Sequence, residues 1–445
     1  MIFHPWAVTL RTPAHTPVDA ASALVYLACA IAVGLLTRRR PALGVAALLV
    51  LAPFDFARYA GPTTVTTLKA GLVGMFVALA FSRFDLAAFR TVPVRAVLAA
   101  FVATLLAVAL SALHAQHLGE VLREGLKDGE YLLLLVGALI AFATDPDERP
   151  LWLMLEVAVL LVSLSALAEY LTGARSGIML HGHSAPRIAG ALEGPNQLAG
   201  YFDVTLPVLV ARALGRRDRF LTAVIAIAAV TDVLTISRSG IIGVSLGVIL
   251  VLLILRPFES IAWRFAAAVV LLLGIGTAGA IWAGVPAGYF SLDPQTSAGD
   301  HLANRAQLWR AAIALWQTSP VVGVGAGNYE LDLSEVGLVD VRTHANSVYL
   351  QSLAEEGVVG VVATLAMFAT VIVALARGAR RPLIVGVLGA TIALAAHQVF
   401  DDLFFFPKVA SVYWLLVGVA LAEVAAQRLS ERGGAAATAA KPPSG

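Results

Sequence analysis

The side chains of this sequence best suited to chemistry on an anionic substrate are three arginines and a histidine: Arg187, Arg238, Arg305 and His344. A guanidinium group stays charged at physiological pH, and its planar fork matches the oxygens of a phosphate. When a group leaves a phosphate, negative charge grows on the phosphate oxygens, and arginine or a metal ion can stabilise that charge. The pattern therefore indicates a site that holds an anionic group during a transfer reaction.

Acidic side chains also fall near the ends of apolar segments, and three of them are Glu169, Asp203 and Asp232. Ionisable groups inside membrane helices cost free energy, so each is a candidate functional residue. The alternative is that such a side chain pairs with a neighbour and stabilises the helix bundle. For these three acids we favour the stabilising role, and for the arginines we favour a role in the site.

A metal ion is the alternative means of holding an anionic group. The sequence offers acids and a His-x-His pair, namely Glu330, Asp332, Glu335, Asp340, Asp401, Asp402, His181 and His183. The acids lack the compact spacing of a ligand motif, and one His-x-His pair in a loop is weak evidence for a metal. We therefore predict that arginine holds the anion, with no metal and no cofactor.

Alternating glycines at Gly323, Gly325 and Gly327 resemble a nucleotide-binding loop only in composition. Such a loop follows a strand and opens a helix, and no strand precedes these glycines. A tight reversal of the chain is therefore the interpretation that we favour.

The elements that must position these residues are strongly apolar. Of the 445 residues, 59% are hydrophobic and 13% are charged, whereas a soluble domain has roughly 25% charged residues. The fold class is therefore all-α, a polytopic integral membrane protein with about 12–13 transmembrane helices and a large helical loop outside the membrane. The net charge of +2 gives no indication of nucleic-acid binding, and the expected surroundings are membrane lipids.

The predicted transmembrane helices lie near 18–36, 42–57, 65–82, 93–113, 130–144, 150–171, 197–214, 219–235, 238–255, 263–285, 358–376, 382–402 and 408–427. Arginine clusters occupy alternate loops between them, which places those loops in the cytoplasm by the positive-inside rule. The opposite side then receives the loops 172–196 and 286–357. Within the second loop, Asp300 is expected to cap an apolar helix that stops at Pro320.

The same reasoning divides the chain into three parts. Residues 1–171 are N-terminal transmembrane helices, residues 172–432 form a membrane core with both outer loops, and residues 433–445 form a tail of Gly, Ala, Pro and Ser that we expect to be disordered. Segment 116–127 has leucines at helical spacing, so it is expected to lie flat at the membrane interface on the outer side.

Four segments together resemble the O-antigen ligase and polymerase superfamily. They are RIAGALEGPNQLAGY (187–201), TISRSGIIG (235–243), NRAQLWRAAIALWQTSPVVGVGAGNY (304–329) and THANSVYLQSLAEEGVVG (343–360). Each motif alone is modest, whereas all four in this order and on the same side of the membrane are fairly specific. The resemblance extends from Arg187 to the final helix.

The resemblance implies an inverting, metal-independent glycosyltransferase of the bacterial inner membrane, with its site facing the periplasm and a glycan on undecaprenyl diphosphate as donor. In such enzymes the arginines named above hold the diphosphate, and the histidine lies at the reacting hydroxyl as a base or a hydrogen-bonding group. The further candidates for substrate binding are Asn346, Asn196, Glu193 and Arg123.

One departure from the family pattern concerns the histidine. In the usual motif it stands directly before asparagine or serine, with leucine four and glycine eleven residues after it. Leu350 and Gly357 place that position at Asn346, two residues after the actual His344. The catalytic position therefore belongs to His344, to Asn346 or to both.

The leading function is that of an O-antigen ligase, which moves a finished glycan from the lipid diphosphate to a sugar hydroxyl of lipid A–core. A polymerase of the same superfamily would use the same donor with another lipid-linked glycan as acceptor, and a protein O-oligosaccharyltransferase is a third relative. A transporter of the lipid-linked glycan would place charges at mid-depth between two related halves. The sequence favours the ligase and leaves the acceptor open.

Overall fold

The computed structural model describes residues 16–60, 63–82, 86–173, 179–180, 183–184, 187–214, 218–255, 297–339, 341–378 and 381–439. Within these residues the chain is mostly α-helical, because backbone polar groups inside a bilayer must be satisfied within their own segment. The predicted all-α, polytopic class is confirmed.

The helices of the first part are α1 (Ala20–Arg39), α2 (Pro41–Leu51), α3 (Thr67–Ala80), α4 (Val92–Ser111), α5 (Leu118–Thr144) and α6 (Arg149–Thr172). The helices that follow are α7 (Pro195–Ala213), α8 (Arg219–Thr235), α9 (Arg238–Leu255), α10 (Ser297–Thr318), α11 (Tyr329–Asp332), α12 (Val348–Ala376), α13 (Pro382–His397) and α14 (Pro407–Ala439). Single 3-10 turns cover Ala52–Phe54, Ala87–Arg90 and Leu333–Val336.

Each predicted transmembrane span within the described residues coincides with one of these helices, and the span 263–285 lies outside them. In the described part of the chain, six helices are long and apolar enough to cross a membrane: α1, α4, α6, α9, α12 and α14. Three apolar helices are shorter: α2 with its following turn, α3 and α13. Large side chains on α1, including Leu24 and Leu35, are exposed, as expected of a surface in contact with lipid.

Three boundaries differ from the predictions. Segment 116–127 is not a separate interfacial helix, because α5 begins at Leu118 and its helical spacing continues unbroken into the membrane span. Helix α10 begins at Ser297, so Asp300 lies in its first turn and does not cap it. Helix α14 continues to Ala439 in the tail expected to be disordered, since alanine favours the helix strongly enough to offset two glycines.

Among the described residues, two short antiparallel hairpins interrupt the helices. Strand β1 (Ala57–Ala60) pairs with β2 (Thr63–Thr66), and β3 (Met179–Leu180) pairs with β4 (His183–Ser184). The first hairpin joins α2 to α3, and the second lies within the loop 172–196 that connects α6 to α7. The second hairpin therefore stands directly before the segment that carries Arg187.

Helix α7 forms the centre of the bundle, with nearly all of its residues buried and with α9 and α13 packed against it. Gly247 of α9 and Gly389 of α13 face each other: a Cβ on the first would lie 2.6 Å from the carbonyl oxygen of the second. Small residues allow membrane helices to approach this closely. The contact brings α9 and α13 together near their middles, beside Pro207 of α7.

Helix α12 is broken near its start at Gly357, which has φ 68° and ψ −159°. The chain after α10 fills this break. The backbone N–H groups of Val324 and Gly325 donate to the carbonyl oxygens of Ala354 and Glu355 at 3.0 and 2.8 Å. The first turns of α12 are thereby joined to the helical loop that precedes them.

The glycine repeat makes this docking possible. Gly323, Gly325 and Gly327 all have positive φ, at 72°, 111° and 73°, and only glycine adopts such angles without strain. A Cβ at Gly323 would lie 2.2 Å from the carbonyl carbon of Glu355. The predicted tight reversal is therefore confirmed.

Candidate functional site

The segment that carries Arg187 is fixed by Glu169, which lies near the end of α6. The Oε2 atom of Glu169 accepts hydrogen bonds from the backbone N–H groups of Ala189 and Gly190 at 3.0 and 2.6 Å. Gly190 has φ 59°, so this turn favours glycine. Glu169 thus has the stabilising role that we favoured, and it holds the backbone beside Arg187.

The guanidinium group of Arg187 is held by two protein oxygens. Its Nε donates to the carbonyl oxygen of Thr235, and its Nη2 donates to Oδ1 of Asn196, each at 2.7 Å. Thr235 is the last residue of α8, and Ile236 after it turns into the left-handed region with φ 53°. The last carbonyls of a helix lack intrahelical partners and favour a cation. Arg187 therefore caps α8 in one fixed orientation.

Arg238 follows the same turn as the first residue of α9. Ser237 before it accepts a hydrogen bond at its Oγ from the backbone N–H of Gly240 at 3.4 Å, a long contact of the kind that caps a helix start. The side chain of Arg238 is half-buried. The turn thus places one arginine against the end of α8 and another at the start of α9, where N–H groups and the helix dipole favour anions.

Asn196 connects Arg187 to an acid from a distant part of the chain. While its Oδ1 accepts from Arg187, its Nδ2 donates to Oδ2 of Asp401 at 2.6 Å. Asn196 lies in the first turn of α7, directly after Pro195. The two partners define the orientation of the amide, with its acceptor toward the guanidinium group and its donor toward the carboxylate.

His344 lies between this acid and two aromatic rings, and it is 7% exposed. Its Nε2 is 3.9 Å from Oδ1 of Asp401, and its ring centroid is 5.1 Å from that of Phe405 and 6.0 Å from that of Phe406. Its Nδ1 accepts a hydrogen bond from the backbone N–H of Asn346 at 3.1 Å. A neutral imidazole that accepts at Nδ1 carries its proton on Nε2. We refer to Arg187, Asn196, His344 and Asp401 as the Asp401 cluster.

Asn346 supports the histidine ring. Its backbone is left-handed, with φ 52°, which asparagine tolerates better than most residues. Its backbone N–H reaches Nδ1 of His344, and its Nδ2 lies 3.4 Å from the carbonyl oxygen of His344. The ring of His344, two residues before the family position, is the group that faces Asp401.

Backbone hydrogen bonds bring the two halves of the cluster together. The N–H of Val348, at the start of α12, donates to the carbonyl oxygens of both Gln398 and Asp401, each at 3.1 Å. The N–H of Asp402 donates to Oδ1 of Asp401 at 2.8 Å. The loop 398–406 between α13 and α14 is therefore attached to the segment that carries His344.

The carboxyl group of Asp401 lies close to two histidines and an arginine. Burial raises its pKa, but the facing His344, followed by His397 and Arg305, lowers it by more. The N–H of Asp402 adds to the same effect. The net pKa lies below the usual value for aspartate, so Asp401 is ionised at neutral pH.

Arg305 approaches the cluster from α10. It is half-buried, and its charge is one of those that lower the pKa of Asp401. One turn later on the same helix, the ring of Trp309 lies 6.2 Å from that of Phe400 in the loop 398–406. This contact places α10 beside the loop that carries Asp401.

Two of the other candidates lie elsewhere. Oε1 of Glu193 is 3.6 Å from Nζ of Lys408, and burial is the main cause that raises the pKa of Glu193. The side chain of Arg123 is 55% exposed, with its Nη2 2.8 Å from Oε1 of Glu120 on the same helix. The structure therefore connects Asn196 and Asn346 to the Asp401 cluster, and gives Glu193 and Arg123 separate partners.

The importance of Asp401 was not predicted. From sequence, Asp401 was a candidate only as a metal ligand, and the signal for it was a pair of acids directly after an apolar span. A second unpredicted contact lies deeper, where Nδ1 of His397 is 2.5 Å from Oδ2 of Asp203, with both side chains fully buried. This pairing agrees with the stabilising role favoured for Asp203.

The metal question is limited to the described residues. Among them, no group of three or more His, Cys, Asp or Glu side chains is arranged to hold a metal ion. His181 and Asp340 lie outside the described residues. The expectation of a site without metal stays a prediction.

Fold and site together define a multi-spanning membrane protein with a basic cluster at the ends of α7, α8, α9, α12 and α13. A family model described as O-antigen ligase matches residues 223–365, a range that includes Arg238, Arg305 and His344. This part of the chain is therefore similar to the O-antigen ligase family. A comparison with curated proteins gave no match.

Proposed function

We propose that this protein is a glycosyltransferase of the bacterial inner membrane that works on the periplasmic face as an O-antigen ligase. It moves a glycan from undecaprenyl diphosphate to a sugar hydroxyl of lipid A–core. The observation that carries this proposal is the Asp401 cluster, in which a fixed arginine, an ionised acid and an imidazole N–H meet beside Arg305.

The donor follows from the location. No ATP or nucleotide sugar is available on the periplasmic side, so the transferred glycan must arrive already activated on a lipid. Its diphosphate requires positive charge, and Arg187, Arg238 and Arg305 supply it. The hydrogen bonds of Arg187 to Thr235 and Asn196 fix its guanidinium plane before substrate binds. A preorganised charge stabilises the transition state without further rearrangement.

The reaction is a displacement at the anomeric carbon. The acceptor oxygen forms a bond to that carbon, and the bond from the carbon to the diphosphate oxygen breaks, leaving its electron pair on the phosphate. The proton of the acceptor hydroxyl passes to a base on the protein and then to solvent. Attack from the side opposite the diphosphate inverts the anomeric configuration.

The geometry favours Asp401 as the group that receives the proton. Because Nδ1 of His344 accepts from Asn346, its Nε2 presents a hydrogen toward Asp401 across 3.9 Å. A hydroxyl between them would accept from Nε2 and donate to the carboxylate. Asp401 is a weak base, since its pKa lies below the usual value. It therefore takes the proton as the new bond forms and the hydroxyl becomes acidic.

Reconstitution with defined substrates tests this function. The purified protein in lipid vesicles is given an undecaprenyl-diphosphate-linked glycan, with lipid A–core or a second lipid-linked glycan as acceptor. We expect the glycan to appear on lipid A–core. Elongation of the second lipid-linked glycan alone would instead identify a polymerase, and consumption of neither acceptor would contradict the proposal.

A further inference from the structure

A cavity of about 100 Å³ lies next to the Asp401 cluster, which is room for several water molecules. It is lined by residues of α4, α5, α12 and α14 and of the loop 398–406. Its charged side chains are Glu124, Lys127, Asp128, Glu355, Glu356 and Asp402. The rings of Phe405 and Trp414 also line it. The cavity is therefore polar and acidic, with aromatic faces.

Phe405 lines this cavity and also packs beside the histidine. Its ring centroid lies 5.1 Å from that of His344 and 5.7 Å from Nζ of Lys127. Gln351 also lines the cavity, and its Oε1 accepts from the backbone N–H of Ala345 at 2.7 Å. The cavity thus begins one side chain away from the group that faces Asp401.

Two carboxylates offer oxygens to the cavity without using them elsewhere in the described structure. Oδ1 of Asp402 accepts from the N–H groups of Phe404 and Phe405 at 3.2 and 3.1 Å. Its Oδ2 has no hydrogen-bond partner among the described residues, although Asp402 is only 5% exposed. Asp128 makes no hydrogen bond within the described part of the chain. Both carboxylates can therefore accept hydrogen bonds from donors in the cavity.

The charged side chains that line the cavity indicate which class of ligand it can bind. Five carboxylates surround one cation, Lys127, which is itself paired with Glu124. Burial raises the pKa of Asp128 to about 7 and also raises that of Asp402, so the lining is acidic but not fully ionised at neutral pH. Because its one cation is already paired, the lining offers no unpaired positive charge to a phosphate or carboxylate, and the diphosphate of the donor belongs on the arginine side. Carboxylate oxygens accept hydrogen bonds from hydroxyl and amino groups. Aromatic faces such as those of Phe405 and Trp414 pack against the C–H faces of sugar rings.

We propose that this cavity binds the acceptor sugar whose hydroxyl reacts, and that this sugar is neutral or carries an amine, with no phosphate or carboxylate. The inference rests on the proposed function, because it names the acceptor class of the same site. The donor diphosphate then lies on the arginine side and the acceptor sugar in the acidic cavity, with Phe405 at the boundary between them.

Asp128→Asn tests the acceptor region when the assay is run above pH 7, because burial raises the pKa of Asp128 to about 7. The change keeps the shape of the side chain and removes the charge that it carries at that pH. Loss of a hydrogen bond to a charged group should raise the KM for acceptor roughly tenfold or more, while the KM for donor stays constant. The matched control is Glu130→Gln on the same helix, since Glu130 lies 3.4 Å from Lys69 and is not among the cavity residues. An unchanged acceptor KM in a normally folded Asp128→Asn protein would overturn the inference.

Acceptor choice gives a second kinetic test. Two synthetic glycolipids, identical except for a phosphate on the reacting sugar, are compared with the wild-type protein and with Asp128→Lys. We expect the wild type to use the unphosphorylated acceptor at least about tenfold better, and Asp128→Lys to narrow or reverse this preference. Equal use of both acceptors by the wild type would also overturn the inference.

A binding measurement separates this inference from the proposed function. Trp414 lines the cavity, so its fluorescence, taken as the difference between the wild type and Trp414→Phe, reports occupancy without any transfer. Methyl glucoside and glucosamine should change it at millimolar concentration, and glucose 6-phosphate should not. Sugar binding without transfer would support the cavity as a sugar site and contradict the proposed ligase function. Transfer without a fluorescence response to any of these sugars, or with a response to glucose 6-phosphate alone, would support the ligase function and contradict sugar binding in the cavity.

Discussion

Asp401 connects the other residues of the site to one another. Asn196 donates to one of its oxygens at 2.6 Å, and the N–H of Asp402 donates to the other at 2.8 Å. Hydrogen bonds to a charged acceptor are shorter and stronger than neutral ones. Since Asn196 also accepts from Arg187, the orientation of the arginine and that of the acid depend on each other. A substitution that changes the orientation of Arg187 or of Asp401 is therefore expected to change that of the other.

A pair of variants distinguishes the role of His344 from that of Asn346. His344→Ala removes the N–H that faces Asp401, and we expect transfer to fall about a hundredfold or more while donor binding remains. Asn346→Gly keeps the left-handed backbone and the N–H that reaches Nδ1 of His344. It removes only one neutral side-chain hydrogen bond, roughly 0.5–1.5 kcal/mol.

The measurement for this pair is the transfer rate per folded molecule, with donor binding measured alongside. A severe loss in Asn346→Gly together with a mild loss in His344→Ala would assign the catalytic position to Asn346, as the family register has it. If His344 serves only to end its loop, its variant will show less protein and normal activity per molecule.

At the scale of elements, the glycine repeat after α10 decides how the outer helical loop joins α12. Gly323 and Gly337 both have positive φ, at 72° and 87°. A Cβ at Gly323 would meet the backbone of Glu355 at 2.2 Å, whereas one at Gly337 would meet nothing within 4 Å. The two positions thus share a backbone conformation and differ in the space around it.

Alanine variants at these two glycines measure that difference. The left-handed conformation costs an alanine roughly 1–2 kcal/mol, and Gly337→Ala should lower the melting temperature by that contribution alone. Gly323→Ala should lower it further, because the docking on α12 must also shift. Thermal unfolding in one detergent gives the comparison. Equal melting temperatures for the two variants would show that the reversal does not hold α12.

The membrane helices follow from sequence because an apolar run of sufficient length has few alternatives. The start of α5 was harder to predict: its charged first turns suggest an interfacial segment, and only tertiary packing shows that Leu118–Thr144 is one helix. The arginines were recognisable by type and motif. Asp401 was not, because its partners Asn196 and His344 are distant in sequence and meet only when α7, α12 and α13 pack.

The orientation of the whole molecule is tested by accessibility in cells. In a Cys29→Ser background, a cysteine at Val339, which is 64% exposed in the loop before α12, should react with an impermeant thiol reagent once the outer membrane is permeable. A cysteine at Ser430, which is exposed on the last turns of α14, should react only after the inner membrane is lysed. The opposite pattern would place the site in the cytoplasm and remove the argument for a lipid-linked donor.

In the proposed mechanism, arginine holds the diphosphate of a lipid-linked glycan without a metal ion. The most direct measurement is the transfer rate of the reconstituted protein before and after exhaustive chelation, with Arg187→Lys beside it. Arg342→Lys is the control, because the Nη1 of Arg342 donates to the carbonyl oxygen of Glu330 at 3.2 Å, and no hydrogen bond among the described residues joins Arg342 to the Asp401 cluster. We predict the full rate in chelator, a loss of about a hundredfold or more in Arg187→Lys, and no loss in the control. Abolition by chelator with recovery on adding a divalent cation, together with full activity of Arg187→Lys, would contradict the claim.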